Sequence, residues 1–265
     1  MENGRTYLSE SLKNGKLMRW TFMPLKVYIA PMNFYSKQGE DYKYRAMVKQ
    51  ALEAWEKASM GKVSFKLVPT LLESNVNIEW KRVDRQALGY CTFQYDPNNR
   101  LYSAEVQIGL TEGLVHAQYM DEDEVYHTIL HEIGHALGLG HSPYKTDIMY
   151  TPHQKGIKNL SKNDKLSLKW LYALPQGITS SELANKYNTN GSDIDEIIYK
   201  VINKQATSEF EQVKKSIPKK PVRDLEEEQE RIALMRRHHM ALQNVKIPIN
   251  VKSYLLNNKN KPKEF

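Results

Sequence analysis

The chain has 265 residues, 40% hydrophobic and 26% charged, with 16 Tyr and 4 Trp, enough apolar material for a substantial core and too much for global disorder. A single cysteine, Cys91, excludes an intrachain disulfide framework and a cysteine-rich zinc finger. The net charge of +7, from 38 Lys+Arg against 31 Asp+Glu, is spread out with no basic block interleaved with aromatics, so a solvated basic surface is expected and no nucleic-acid partner is predicted.

Residues 1–19 read as a polar lead-in without an apolar h-region. No secretory signal is visible there, so cytoplasmic residence is the default expectation. No apolar run approaches the roughly 20 residues that cross a bilayer. Alternation in residues 25–30, between Pro24 and Pro31, predicts a strand. From Asp41 to Ser59 the period becomes helical, with Tyr44, Met47, Val48, Ala51, Leu52 and Trp55 on one face and Gly61 as a stop. Alternating runs at 63–68 and 75–80 predict two more strands. A short aromatic run, Leu88 to Tyr95, reaches a turn at 96–99, and Tyr102 to Leu110 returns with Ala104, Val106 and Ile108 on one side. Strand, helix and then four strands imply an α+β or mixed α/β class.

A long helix is predicted over 121–139, with an acidic first turn and an apolar stripe of Val125, Ile129, Ile133 and Leu137. Gly138 supplies its stop. Ser161 opens a further helix, with Asp164 at capping-box distance. Beyond Pro175 the composition shifts. Helices are predicted at 180–187, 193–203 and 221–243, followed by a frayed end. Residues 180–188 and 193–198 faintly resemble the helical half of a LysM module or half of a helix-turn-helix. Neither flanking strands nor a reading helix accompany them, so a plain helical extension is the reading kept.

The chemistry is concentrated in His131-Glu132-Ile133-Gly134-His135-Ala136-Leu137-Gly138-Leu139-Gly140-His141. Residues four apart on a helix share a face, so His131 and His135 can aim ring nitrogens at one ion. Gly138 lets the chain leave the helix and turn back, bringing His141 in as a third ligand. Three neutral imidazoles leave a Zn²⁺ with its full charge and one open position, the signature of a catalytic ion. Glu132 lies on the flank of that face, within reach of a water in the open position.

This segment, followed by Ser142 and by Ile148-Met149-Tyr150, resembles the metzincin zinc endopeptidases, and within them the matrixins, the matrix-metalloproteinase-like branch. The resemblance covers about residues 20–174 and includes the helix that opens at Ser161. It implies an α+β metzincin-like catalytic domain with a twisted mixed sheet, an active-site helix and a C-terminal helix. The expected organisation is a polar segment at 1–19, the peptidase domain at 20–174 and a basic, mainly helical extension at 175–265. The implied reaction is hydrolysis of peptide bonds by a zinc-bound water with Glu132 as general base. His131, His135 and His141 would be the ligands, and Met149 would form an apolar floor beneath the metal. The substrate would be an extended protein or peptide segment lying along a rim at Ala87 to Thr92. A non-catalytic zinc-binding protein of the same fold is the alternative, against which the intact Glu132 argues.

Three departures from the family pattern bear on these expectations. Cys91 lies inside the domain, where packing is its expected role, so the propeptide-cysteine latency motif is missing. No histidine lies between Asn75 and Gly113, and no calcium loop is recognisable. One catalytic zinc is therefore expected, without structural zinc or calcium. Tyr150 is followed by Thr151-Pro152-His153, where matrixins usually place proline directly after the tyrosine. The family usually works outside the cell, which conflicts with the default location. Among the remaining histidines, His127 reads as either a support for a ligand or an ordinary, partly exposed helical residue. His116 and His153 read as loop residues, with His153 a candidate to line the cleft. His238 and His239 are adjacent and face apart on a helix.

Overall fold

The computed structural model describes residues 4–32, 40–82, 89–110 and 122–216. One compact unit runs from Met1 to Ser208, and a second comprises Glu209–Phe265. The helix predicted at 221–243, the frayed end, His116, His238 and His239 lie outside the described residues.

A small hairpin of β1 (Leu12–Lys13) and β2 (Lys16–Leu17) precedes a five-stranded sheet. The sheet consists of β3 (Leu25–Ile29), β4 (Phe65–Leu67), β5 (Val76–Arg82), β6 (Gly89–Tyr95) and β7 (Leu101–Leu110), in the order β4-β3-β5-β7-β6. The β3–β4, β3–β5 and β5–β7 pairs are parallel, while the edge strand β6 runs antiparallel to β7. The helices are α1 (Glu40–Ala58), α2 (Glu122–Ala136), α3 (Lys162–Ala173), α4 (Ser180–Tyr187) and α5 (Ile194–Ser216).

Period-2 alternation on β7 buries Ala104, Val106 and Ile108, and helical periodicity on α1 buries Tyr44, Val48, Ala51, Leu52 and Trp55. Each large apolar side chain removed from water in this way contributes roughly 1.5–3 kcal/mol before entropic costs. The helix α2 packs between α1 and the β6–β7 end of the sheet, so it is buried around most of its circumference.

Three expectations change. Residues 1–19 are not a polar lead-in, because Tyr7, Leu8, Leu17 and Met18 lie in the main core. Their apolar residues are distributed over a 3-10 turn (Leu8–Ser11) and a hairpin, which share no single period. The strand expected at 63–68 shrinks to Phe65–Leu67, because Val63 is held in a turn by its N–H bond to Ser59 Oγ (2.9 Å). The packing also continues past 174: Ile178, Leu183, Ile194, Ile197, Ile198 and Val201 join the same core. The region expected as an extension therefore begins inside the compact unit. The helix predicted at 180–187 occupies those residues, and the one predicted at 193–203 continues to Ser216.

Candidate active site

The acidic first turn of α2, Glu122, Asp123 and Glu124, complements the positive end of its dipole. Its interior and end are anchored by side chains from elsewhere in the fold. Trp55 Nε1 donates to the Leu130 carbonyl (3.0 Å), Trp20 Nε1 to Ala136 (2.8 Å) and the Tyr172 hydroxyl to Leu137 (2.9 Å). The helix stops three residues short of the predicted Leu139. Gly138 has φ 97°, its N–H bonds the His135 carbonyl (2.8 Å), and Leu139 N–H reaches back to Gly134 (3.0 Å). This left-handed closure reverses the chain immediately after the second histidine.

That reversal brings His141 back to His131 and His135. Their Nε2 atoms converge, with His135 Nε2 3.1 Å from His131 Nε2 and 3.2 Å from His141 Nε2. His131 Nδ1 lies 2.8 Å from the Ile148 carbonyl and His135 Nδ1 2.8 Å from the Leu139 carbonyl. A carbonyl can only accept, so both Nδ1 atoms carry the proton, and both Nε2 atoms present lone pairs. Lone pairs facing one another at this range repel unless a cation lies between them. Two nitrogens bound tetrahedrally at roughly 2.0–2.1 Å would stand about 3.3 Å apart, close to the spacing seen. These three residues form a group able to hold a metal ion. Burial, then the neighbouring rings, lowers the proton affinity of His131 to a pKa of about 3; burial lowers His135 to about 4, and it lowers His141 as well. All three directions favour the neutral, ligand-competent ring.

The carbonyl that orients His131 belongs to a buried polar hub. Asp164 is fully buried, and its Oδ2 accepts the N–H groups of Ile148 (3.0 Å) and Ser161 (2.8 Å). Its Oδ1 accepts the Tyr7 hydroxyl (2.7 Å). The capping box expected at Ser161 and Asp164 is present, and the same carboxylate also ties the turn carrying Ile148 to α3. Ser142 holds that turn from the other side, its N–H bonding Met149 O (2.8 Å) and its hydroxyl Asp147 (2.5 Å). Met149 is fully buried and packs on the helix turn between the first two histidines: a Cβ on Gly134 would lie 2.3 Å from its sulfur.

Glu132 is 6% exposed and faces a cleft of about 750 Å³ also lined by the three histidines. Burial raises its carboxyl to a pKa of about 8. The start of β6 presses on it: a Cβ on Gly89 would sit 2.6 Å from both Cγ and Oε1 of Glu132. Cys91 packs against the core, as expected, and also lines the cleft. Burial and then the Glu132 charge push its thiol well above the usual range. Of the expected rim, residues 87 and 88 lie outside the described residues, while Gly89 to Thr92 form part of the edge strand β6.

His127 is not partly exposed. It is buried, its Nδ1 donates to the Ile157 carbonyl (2.7 Å), and its ring stacks 6.3 Å from that of His131. His153 does line the cleft, edge-on to His127 with centroids 3.8 Å apart and in contact with the Glu124 carboxylate. Sequence reasoning missed Gly89, Tyr7 and the bonds of Asp164 to Ile148 and Tyr7. The Tyr7–Asp164 bond spans 157 residues, and no local pattern announces such a contact.

A mixed five-stranded sheet crossed by a histidine-bearing helix defines the class: an α+β metzincin catalytic domain. The chain belongs to the matrixin family, which matches residues 27–173, more than half of its length. It is also 27% identical over 160 residues to a protein of Heliothis virescens ascovirus 3e whose name marks it as a candidate matrix metalloproteinase. That match covers 52% of this chain and 33% of the relative, so the chain spans about a third of the relative's length. The expected family and fold class therefore hold. Among the described residues no helix is long and apolar enough to cross a membrane.

Proposed function

We propose that the protein is a zinc-dependent endopeptidase in which His131, His135 and His141 hold one catalytic ion and Glu132 is the general base. The observation that carries this reading is the convergence of three Nε2 atoms beside a buried carboxylate in an open cleft. Bound zinc would supply Lewis acidity, acidifying water and polarising a carbonyl oxygen. Glu132 takes the proton of the attacking water and returns it to the amide nitrogen as the C–N bond breaks. Met149 closes the apolar floor of the site, and Ile148 and Leu139 fix the ring orientations through their carbonyls. An extended substrate would lie along β6, satisfying the backbone groups of an edge strand with little dependence on side-chain sequence.

The test is peptide cleavage by zinc-loaded protein, with and without a chelator, alongside Glu132→Ala. We expect chelation to abolish cleavage and zinc to restore it. Glu132→Ala should retain one zinc by elemental analysis and lose at least about 100-fold in kcat. Zinc binding by wild type with no turnover on a diverse peptide library would favour the non-catalytic alternative.

A further inference from the structure

We propose that Asp195, in the first turn of α5, is a positioning residue of the metal centre, acting through the turn Leu8–Ser11 on the loop that carries His141. The proposal rests on the reading of His131, His135 and His141 as metal ligands. Asp195 Oδ1 accepts the Leu8 N–H (2.6 Å) and its Oδ2 the Ser9 N–H (2.9 Å), across 187 and 186 residues of sequence. These are the opening N–H groups of a 3-10 turn, which no carbonyl of the turn itself can satisfy. A carboxylate gripping both makes two charge-assisted bonds, each roughly twice as strong as a neutral one.

The other end of the turn reaches the site. Ser11 Oγ accepts the Gly140 N–H (3.3 Å). Glu10 lies so close that a Cβ on Gly140 would sit 2.1 Å from its own Cβ and 3.0 Å from its carbonyl carbon. Gly140 stands between Leu139, whose carbonyl orients the His135 ring (2.8 Å), and His141 itself. The turn therefore abuts the backbone that aims two of the three rings. The segment is held on both sides of the turn by other contacts: Arg5 lies 3.6 Å over the Tyr199 ring, and Leu17 N–H bonds Ile178 O (3.0 Å). Within those flanks Tyr7 is bonded to Ser167 and Asp164, Leu8 is fully buried and Ser11 O accepts the Met18 N–H (3.2 Å), and Asp195 adds the two bonds that fix the opening N–H groups of the turn. Asp195, which lies beyond the family match, thus bears on the histidine loop through the turn Leu8–Ser11.

The test uses the full chain with Asp195→Ala, Asp195→Asn, Ser11→Ala, and Ser11→Ala combined with Asp195→Ala. Zinc affinity is read by competition with a chromophoric chelator, kcat and KM with a peptide substrate, and stability by thermal unfolding. Asp195→Ala should weaken zinc binding about 10-fold or more and lower kcat with KM little changed. Asp195→Asn, which keeps one acceptor, should fall between it and wild type. The combined variant should lose less affinity than the sum of its parts, because the two residues act along one line. Glu196→Ala, which removes only a surface pair with Lys200 (2.7 Å), should bind zinc as wild type does.

Wild-type zinc affinity and kcat in both Asp195 variants, with only the melting temperature reduced, would overturn the proposal, as would strict additivity with Ser11→Ala. Should Asp195→Ala not fold, the affinity of Asp195→Asn decides. Wild-type protein that takes up no zinc overturns the metal-centre reading itself, and this proposal with it.

Discussion

Glu132 is the residue where burial and chemistry are most directly coupled. Its carboxyl is held at a pKa of about 8 by desolvation, against an ordinary value of 4.5. Between these two values the folded protein keeps a proton that the unfolded chain has released. The stability of the metal-free protein must therefore fall as pH rises through that window, by at most roughly 1.4 kcal/mol per pH unit. Below the window both states are protonated, and above it both are ionised. Glu132→Gln removes the effect, so metal-free Glu132→Gln should gain in melting temperature over metal-free wild type as pH goes from 4.5 to 8. A constant difference across that range would show that the carboxylate carries no desolvation cost. Gly89 shows how close the packing is, since a Cβ there would displace the Glu132 side chain and the Thr128 methyl from their positions against β6.

The turn at Ile148 and the helix α3 are coupled as elements because they share one carboxylate. Asp164 caps α3, receives the Ile148 N–H and receives the Tyr7 hydroxyl. Ser161→Ala should cost about 1 kcal/mol, as for the loss of an N-cap side chain. Asp164→Ala should cost more, about 3–5 kcal/mol, because it also leaves the Ile148 N–H and the Tyr7 hydroxyl buried without their acceptor. Urea denaturation of the two variants measures both costs. Equal losses would show that Asp164 acts only as a cap. The helix α4 ends by the same device as α2, with Asn188 in the left-handed region at φ 48° and Thr189 N–H returning to Ala184 O (3.0 Å). Asparagine tolerates that conformation better than most residues, which lets the chain turn toward α5.

At the molecular scale, the opening segment of the described fold meets the region beyond the family match. The segment 5–17 pairs with Ile178, Asp195 and Tyr199, so the start of the chain and the region after the family match close on each other. A chain ending at Pro175 loses the buried side chains of Ile178, Leu183, Ile194, Ile197, Ile198 and Val201. At roughly 1.5–3 kcal/mol each, their burial is comparable to the 5–15 kcal/mol by which a domain is usually stable. Such a chain should lack a cooperative thermal transition, as followed by near-ultraviolet circular dichroism. A sharp transition close to that of the full chain would show that these residues are dispensable.

The elements whose cause is local were legible in the amino-acid order alone. These are the apolar stripe of α2, the Gly138 stop, the Ser161–Asp164 box, the β6–β7 hairpin and the histidine spacing, each of which is a matter of a few neighbouring residues and a period. From these followed the fold class and the three histidines of the candidate site. Long-range packing alone buries His127, makes room for Glu132 at Gly89 and brings Tyr7 and Asp195 to the surroundings of the three-histidine cluster. Those facts depend on contacts between residues far apart in the chain. A hydrogen bond closed over more than 150 residues leaves no periodicity for a sequence to display.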